Sequence, residues 1–392
     1  MQRLLDLVVL IDTTGSMGQY LYAAKQNIEN IMRTIQKSEI DLRVGIVEYK
    51  DHQNSKDGSY PLKKWDFMTS VTDVQNALNQ LSAWGGGMDG PESVACAFDA
   101  AVELGFRELA AKVIVWIADA PPHGFDIPYD AHPLGCPCGI DFQKVVLKAV
   151  ENDIQVYSVA CEPIRSIYKH FRDLMRAVST ITGGQFVALV SADELADVII
   201  GGSLEEVGMN LVVQKIECDM EKVDGFENMT QDEKDQYMRK AIAEYCSQHT
   251  MKQVTVKSIF KGELPPIPKI YYSATTMEEL RNVIKTREPS IYKFKEGLNM
   301  VEYNPSPQGF WDKTGRAEYN RKLNRFGVVN KEVKMEMCED DDCEEYETVI
   351  NEEKMIEEET FTREGMVDIK ETIVDAGHQN KLLERLKKRI KK

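Results

Sequence analysis

No apolar run in this 392-residue sequence approaches the ~20 residues needed to cross a bilayer, so a membrane span is not expected. Cysteine is scarce: eight in a chain of this length are too few for a disulfide scaffold, and a reduced, cytoplasmic protein is the expectation. Basic charge is in deficit. With 48 Lys and Arg against 64 Asp and Glu, the formal net charge of −16 argues against a nucleic-acid surface and favours metals or cationic partners. The first residues do not read as a signal peptide, because Asp6 and Asp12 interrupt the apolar stretch and no small-residue cleavage site follows. No internal repeat is visible. What is present is 43% hydrophobic residues, enough for a sizeable core, and length for two domains or for one with an extension.

The chain is organised around Leu7-Val8-Val9-Leu10-Ile11-Asp12-Thr13-Thr14-Gly15-Ser16-Met17. The unbroken apolar run reads as a strand buried on both faces. Leu21, Ala24, Ile28, Ile31, Met32 and Ile35 then recur at three- and four-residue spacing and predict a helix from Met17 to about Lys37. Asp12, Thr14 and Ser16 therefore fall where a strand ends and a helix begins, which is where open α/β sheets bind ligands. One carboxylate and two hydroxyls on a short loop are hard oxygens of the kind magnesium takes. Each residue by itself is equally suited to capping a helix.

Alternating elements follow. Strands are expected at Asp41–Tyr49, Trp65–Met68, Lys112–Asp119, Ile154–Ala160 and Gly183–Val190, with helices at Val71–Leu81, from Val94, and at Phe142–Asn152, Phe171–Val178 and Ala192–Val207. Strand and helix in alternation predict a doubly wound, mostly parallel sheet with helices on both faces over residues 1–207. From 208 to 392 the pattern changes to a smaller α+β region. It holds helical stretches at Gln231–Ser247 and Met277–Lys285, a strand near Gln253–Ile259, and breaks at Pro265-Pro266 and Asn304–Pro307. An acidic run, Glu339–Glu347, precedes β-like alternation to Val374 and a basic amphipathic helix at Lys381–Lys392.

Two further strand ends carry acids: Asp89 in Gly85-Gly86-Gly87-Met88-Asp89-Gly90-Pro91-Glu92, and Asp119 before Ala120-Pro121-Pro122. The ordered set resembles the von Willebrand factor type A domain, which has a metal-ion-dependent adhesion site. Val47–His52 and Ala118–Gly124 are similar to the A domain attached to a family of α-kinases. The resemblance implies a Rossmann-like fold and a magnesium site, with manganese or calcium as substitutes, formed by Asp12, Thr14, Ser16, Asp89 and Asp119. It also implies binding of an intracellular protein partner rather than turnover. Here Thr14 stands for the family's first Ser and Asp89 for its second-loop Thr. With Asp89 as a ligand there are three carboxylates around the ion, hence a constitutively filled, partly structural site; the alternative is that Asp89 points away and a water takes its place.

Other readings compete. Leu10-Ile11-Asp12-Thr13-Thr14-Gly15-Ser16 also looks like the phosphorylation loop of the haloacid dehalogenase class, with Asp12 as nucleophile of a phosphohydrolase. That chemistry asks for a hydroxyl after the second strand and a second acid soon after Asp119, and neither is offered. Residues 208–392 show no Gly-rich nucleotide loop, so no kinase domain is recognised. Cys136-Pro137-Cys138 with His123 and His132 offers zinc ligands, but at tighter spacing than usual, and a structural loop is the expectation. Cys338 and Cys343 read as part of a solvated acidic loop, and His249 and His378 as surface residues. The C-terminal helix suits either an anionic surface or docking by its leucines.

Overall fold

Strand β1, Leu4–Asp12, runs through the middle of the sheet, and its alternation defines the two sides of the molecule. Leu5, Leu7, Val9 and Ile11 enter one apolar layer, Val8 and Leu10 the other. Successive strand residues face opposite ways, so a strand covered on both faces must be apolar nearly throughout. The computed structural model describes residues 2–52, 60–86, 89–248, 250–256, 258–295 and 367–390, all in one compact unit.

Five more strands complete the sheet: β2 Asp41–Tyr49, β3 Leu62–Met68, β4 Ala111–Ala118, β5 Ile154–Cys161 and β6 Phe186–Leu189. Their order is β3-β2-β1-β4-β5-β6, parallel except for the edge strand β3. Helices α1 Gly18–Gln36, α2 Val71–Asn79 and α6 Leu195–Met220 cover the face of Leu7 and Val9; α3 Val94–Val102, α4 Phe142–Glu151 and α5 Phe171–Thr182 cover the other. The apolar spacing read in α1 is the set it buries. Ser70 and Asp141 cap α2 and α4 by accepting backbone N–H bonds from Asp73 and from Gln143 and Lys144.

Some bounds differ from the periodicity, each for a local reason. α5 runs on to Thr182, where Gly183 adopts φ 88° and closes the helix, so β6 starts only at Phe186. Gly184 between them passes so close to β5 that a Cβ would lie 2.1 Å from the Val156 carbonyl oxygen. β3 begins at Leu62, ahead of the expected Trp65.

The boundary expected at residue 207 falls inside α6. The second half of α6 meets α7 Gln231–Gln248 and the helix α10, Ala376–Ile390, in a third apolar cluster. Here Met209, Val213 and Ile216 pack with Met238, Ile242, Leu382 and Leu386. β7 Thr250–Val256 pairs antiparallel with β8 Val367–Ile373. Two short helices, α8 Ile270–Ser273 and α9 Met277–Ile284, lay Tyr271, Met277, Leu280 and Ile284 on the α3–α5 side of the sheet. The C-terminal helix is thus docked by its leucines. Its cations are engaged too: Arg385 with buried Glu206, Arg389 with Asp153 and Glu217, and Lys387 with Asp235. His378, expected on the surface, is bonded to Asp375 and Glu205. The readings of Asn304–Pro307, Glu339–Glu347, Cys338, Cys343 and His249 lie outside the described residues.

At the amino end of β1, Asp6 is fully buried and fully bonded. Arg43 donates to its two oxygens at 2.9 and 2.6 Å, and Arg107 adds a side-chain bond at 2.8 Å and a backbone bond at 2.6 Å. Removing one partner of a buried pair leaves the other uncompensated. Asp6→Ala is therefore expected to cost about 3 kcal/mol, read as a lower urea midpoint at unchanged slope; a loss under about 0.5 kcal/mol would show that the arginines are well solvated without it. A chain ended at residue 207 cuts α6 and strips Glu206 of Arg385. It is expected to melt well below the full chain, whereas a soluble fragment with an unchanged melting temperature would make residues 1–207 self-sufficient.

Candidate metal centre

Beyond Asp12 the chain makes a single helical turn, Gly15–Met17, before α1 begins. The Thr14 N–H donates to Asp12 Oδ1 at 2.8 Å and so curls the loop back on the strand end. That places Thr14 Oγ1 and Ser16 Oγ 3.4 Å apart. The Ser16 hydroxyl is also bonded to Asp119, the residue after β4. β1 and β4 are neighbouring parallel strands with Ile11 opposite Ile117, so their ends deliver Asp12 and Asp119 to one spot. Asp12 and Thr14 are buried while Ser16 is exposed, so the cluster opens to solvent on the Ser16 side.

The electrostatics of this cluster are unbalanced. Asp12 Oδ2 is buried and has no hydrogen-bond partner in the protein. Burial, then the charge of Asp119, pushes Asp12 up to about 8. Asp119 keeps some surface, yet loss of solvent still lifts it to about 6 against the pull of the Ser16 bond. Two carboxylates so placed resist joint ionisation unless a cation sits between them.

The second loop is tied onto the first. Trp84 N–H donates to the Thr13 carbonyl at 3.2 Å and Gly15 N–H to the Gly85 carbonyl at 3.1 Å. Gly86 has φ 130° and crosses so near that a Cβ would stand 3.2 Å from Glu92 Oε1 and 3.4 Å from the Thr14 Cβ, so glycine is required there. Asp89, read from the sequence with the oxygen cluster, has its carboxylate beside His123 and Asp51. Its Oδ2 accepts from Ala131 N–H at 2.8 Å and lies 3.8 Å from His123 Nδ1, while Oδ1 is buried without a partner.

The sequence reading passed over three residues here. Glu92 is buried, its Oε2 has no partner, and burial followed by the fields of Asp12, Asp51, Asp119 and Asp89 holds it well above the usual carboxylate range. Its N–H donates to the Pro121 carbonyl at 2.9 Å, which joins the second loop to the third. Lys50, just past β2, turns inward and donates to the carbonyls of Thr13, Ser82 (2.8 Å) and Trp84 (3.0 Å). Burial lowers Lys50 to about 8 despite Glu48, Asp12 and Glu92 nearby. Asp51 accepts from His123 at 2.6 Å. The signal for Glu92 and Lys50 was their charge next to strand-end loops, which alone does not separate them from surface residues.

His123, considered a zinc ligand with Cys136 and Cys138, is taken up on both ring nitrogens: Nδ1 meets Asp130 Oδ1 at 2.7 Å and Nε2 meets Asp51 Oδ1 at 2.6 Å. Burial works against its proton, but the bonds to Asp130 and Asp51 prevail and raise it to about 9. Both nitrogens thus face carboxylates, and one ligand atom each from His123, Asp51 and Asp89 lies within 4.8 Å of the others.

Residues 6–199 match the family model of the von Willebrand factor type A domain. Alpha-protein kinase vwkA of Dictyostelium discoideum is 29% identical over 156 residues, which are 39% of this chain and 24% of the kinase. A putative ariadne-like RING finger protein of Acanthamoeba polyphaga mimivirus is 25% identical over 237 residues, 58% of this chain and 22% of that protein. The chain thus spans less than a quarter of the length of either relative. Among solved structures, the pilus adhesin SpaC of Lactobacillus rhamnosus GG in its open conformation matches at 12% identity and a TM-score of 0.39, over 52% of this chain and 30% of the adhesin. A von Willebrand factor type A structure from Catenulispora acidiphila matches at 13% identity and a TM-score of 0.36, over 53% of this chain and 43% of that one. With the sheet order and the strand-end loops described above, residues 6–199 of this chain are a von Willebrand factor type A domain.

Proposed function

We propose that the cluster of Asp12, Thr14, Ser16 and Asp119 holds a magnesium ion, and that the filled site docks a protein partner inside the cell without catalysis. The observation that carries the reading is the buried, unpartnered Oδ2 of Asp12 beside a second raised carboxylate and two hydroxyls. These are hard oxygens at an open edge, which suits magnesium better than a soft metal. The family is one of protein-interaction domains, and the exposed Ser16 side is the face a partner would reach. Asp89 adds charge from the second loop: its Oδ2 accepts from Ala131 while its Oδ1 is buried without a partner. Glu92 supplies the further acid close to that pair. The alternative, a phosphohydrolase using Asp12 as nucleophile, draws no support from the family match.

Magnesium at ~100 times its Kd would stabilise the fold by about 2.7 kcal/mol. The melting temperature is expected to rise with magnesium and fall back with chelator in the full chain, to be insensitive in Asp12→Asn, and to respond in Asp89→Thr much as in wild type. A wild type indifferent to the metal would overturn the reading, and an Asp89→Thr chain that no longer responds would restore Asp89 as a ligand. Capture of a partner from cell extract is expected to need the metal and to be lost in Asp12→Asn.

The metal-free chain should also carry a pH signature. A carboxyl raised in the folded state holds its proton to higher pH than when unfolded, so folding takes up protons between about 4 and about 8, and stability falls as pH rises through that window. Magnesium competes with that proton, so its stabilising effect is expected to grow over the same range. Urea titrations at pH 5, 6, 7 and 8 with and without metal measure it, and a metal effect constant across that range would contradict the assignment.

A further inference from the structure

A second group of ligand atoms lies beside the oxygen cluster and has a different chemistry. The long segment from Asp119 to Asp141, which contains no helix or strand, carries Cys136 and Cys138 back toward the end of β2 and the start of α3. There they meet His52 and Cys96. Cys136 Sγ is 3.3 Å from Cys96 Sγ and 3.4 Å from His52 Nε2, and Cys138 Sγ is 3.9 Å from His52 Nδ1. One ligand atom from each of the four residues lies within 4.8 Å of all the others. A tetrahedral zinc with bonds of roughly 2.3 Å to sulfur and 2.0 Å to nitrogen places its ligands about 3.5–3.8 Å apart, the scale found here. Three thiols and an imidazole are soft donors that select zinc over magnesium.

The loop is shaped to bring the two cysteines there. Gly139 N–H donates to the Cys136 carbonyl at 3.0 Å, turning the chain about Pro137 so that Cys136 and Cys138 reach one point. Gly135 and Gly139 on either side take φ 118° and 77°. The loop also doubles back against itself at Gly124, where a Cβ would lie 2.6 Å from the Gly135 Cα. On the other side Cys96 is fixed in buried α3, and His52 is 8% exposed at the end of β2. Pairing two of the thiols in a disulfide would leave the third and the imidazole without a role.

We propose that His52, Cys96, Cys136 and Cys138 bind one zinc ion that staples the Asp119–Asp141 loop to α3 and the end of β2. The staple holds a loop that supplies Ala131 N–H to Asp89 and Asp130 to His123, so it sets the shape of the acidic rim without touching the oxygen cluster. It does not depend on magnesium being bound.

The test is metal analysis of the full chain purified under reducing conditions from zinc-supplemented cells. About one zinc per chain is expected, retained on dialysis and on magnesium titration. Cys136→Ser and Cys138→Ser should lower bound zinc at least tenfold, while Cys218→Ser, an exposed cysteine outside the group, should keep it. Cobalt put in place of zinc in the wild-type chain should give the visible bands of a tetrahedral thiolate site, a readout that needs no variant to fold. Zinc below about a tenth of an equivalent with no such cobalt bands, undiminished zinc in Cys136→Ser, or a Cys96–Cys136 disulfide in the reduced preparation would each overturn the proposal.

Discussion

The sheet carries a carboxylate at each end of its central strand, and the two are treated in opposite ways. Asp6 is buried among four donors from two arginines, so its charge is spent inside the fold. Asp12 is just as buried, yet one of its oxygens meets nothing, and its closest electrostatic company is another acid. A buried carboxyl with one oxygen left unbonded is a costly arrangement for a protein to keep. The fold keeps it because every element around Asp12 is fixed for other reasons: β1 by burial on both faces, the first loop by the Thr14 bond, β4 by its register with β1. The cost of that unbonded oxygen is offset by the apolar burial of the strands and loops that hold it.

The neighbouring loops are held by devices that act across the sequence. Lys50 gathers carbonyls from three places, so one ammonium group fastens the end of β2 to the first and second loops. Gly86 lets the second loop lie flat on Thr14, and the Glu92 backbone stitches that loop to Pro121. The loops are cross-bonded where the metal is proposed to sit, while Ser16 remains exposed.

Much of this was legible in the residues. The both-faces burial of β1, the spacing in α1 and the alternation of elements specify the doubly wound sheet, because hydrophobic period reports directly on which faces are covered. The convergence of Asp12, Thr14, Ser16 and Asp119 follows from the rule that parallel strands end on one side. Helix ends were less legible, since a single αL glycine, Gly183, moves two boundaries at once. Least legible were contacts closed over long chain separations. Nothing in the spacing of His52, Cys96 and Cys136, which are 40 and 84 residues apart in their contacting pairs, announces that they meet. Nor does the spacing of Asp89 announce that its carboxylate lies beside Asp51 and His123 with Ala131 N–H bonded to one oxygen.

Helix α6 has 26 residues and is therefore about 39 Å long, with no break where the pattern of the sequence changes. Its first half lies in a layer of the A domain, and its second half is the floor on which α7 and α10 rest. The two regions share one beam. The C-terminal cluster is therefore joined to the sheet by a continuous helix and not by a linker, and the Arg389–Asp153 pair ties it there a second time.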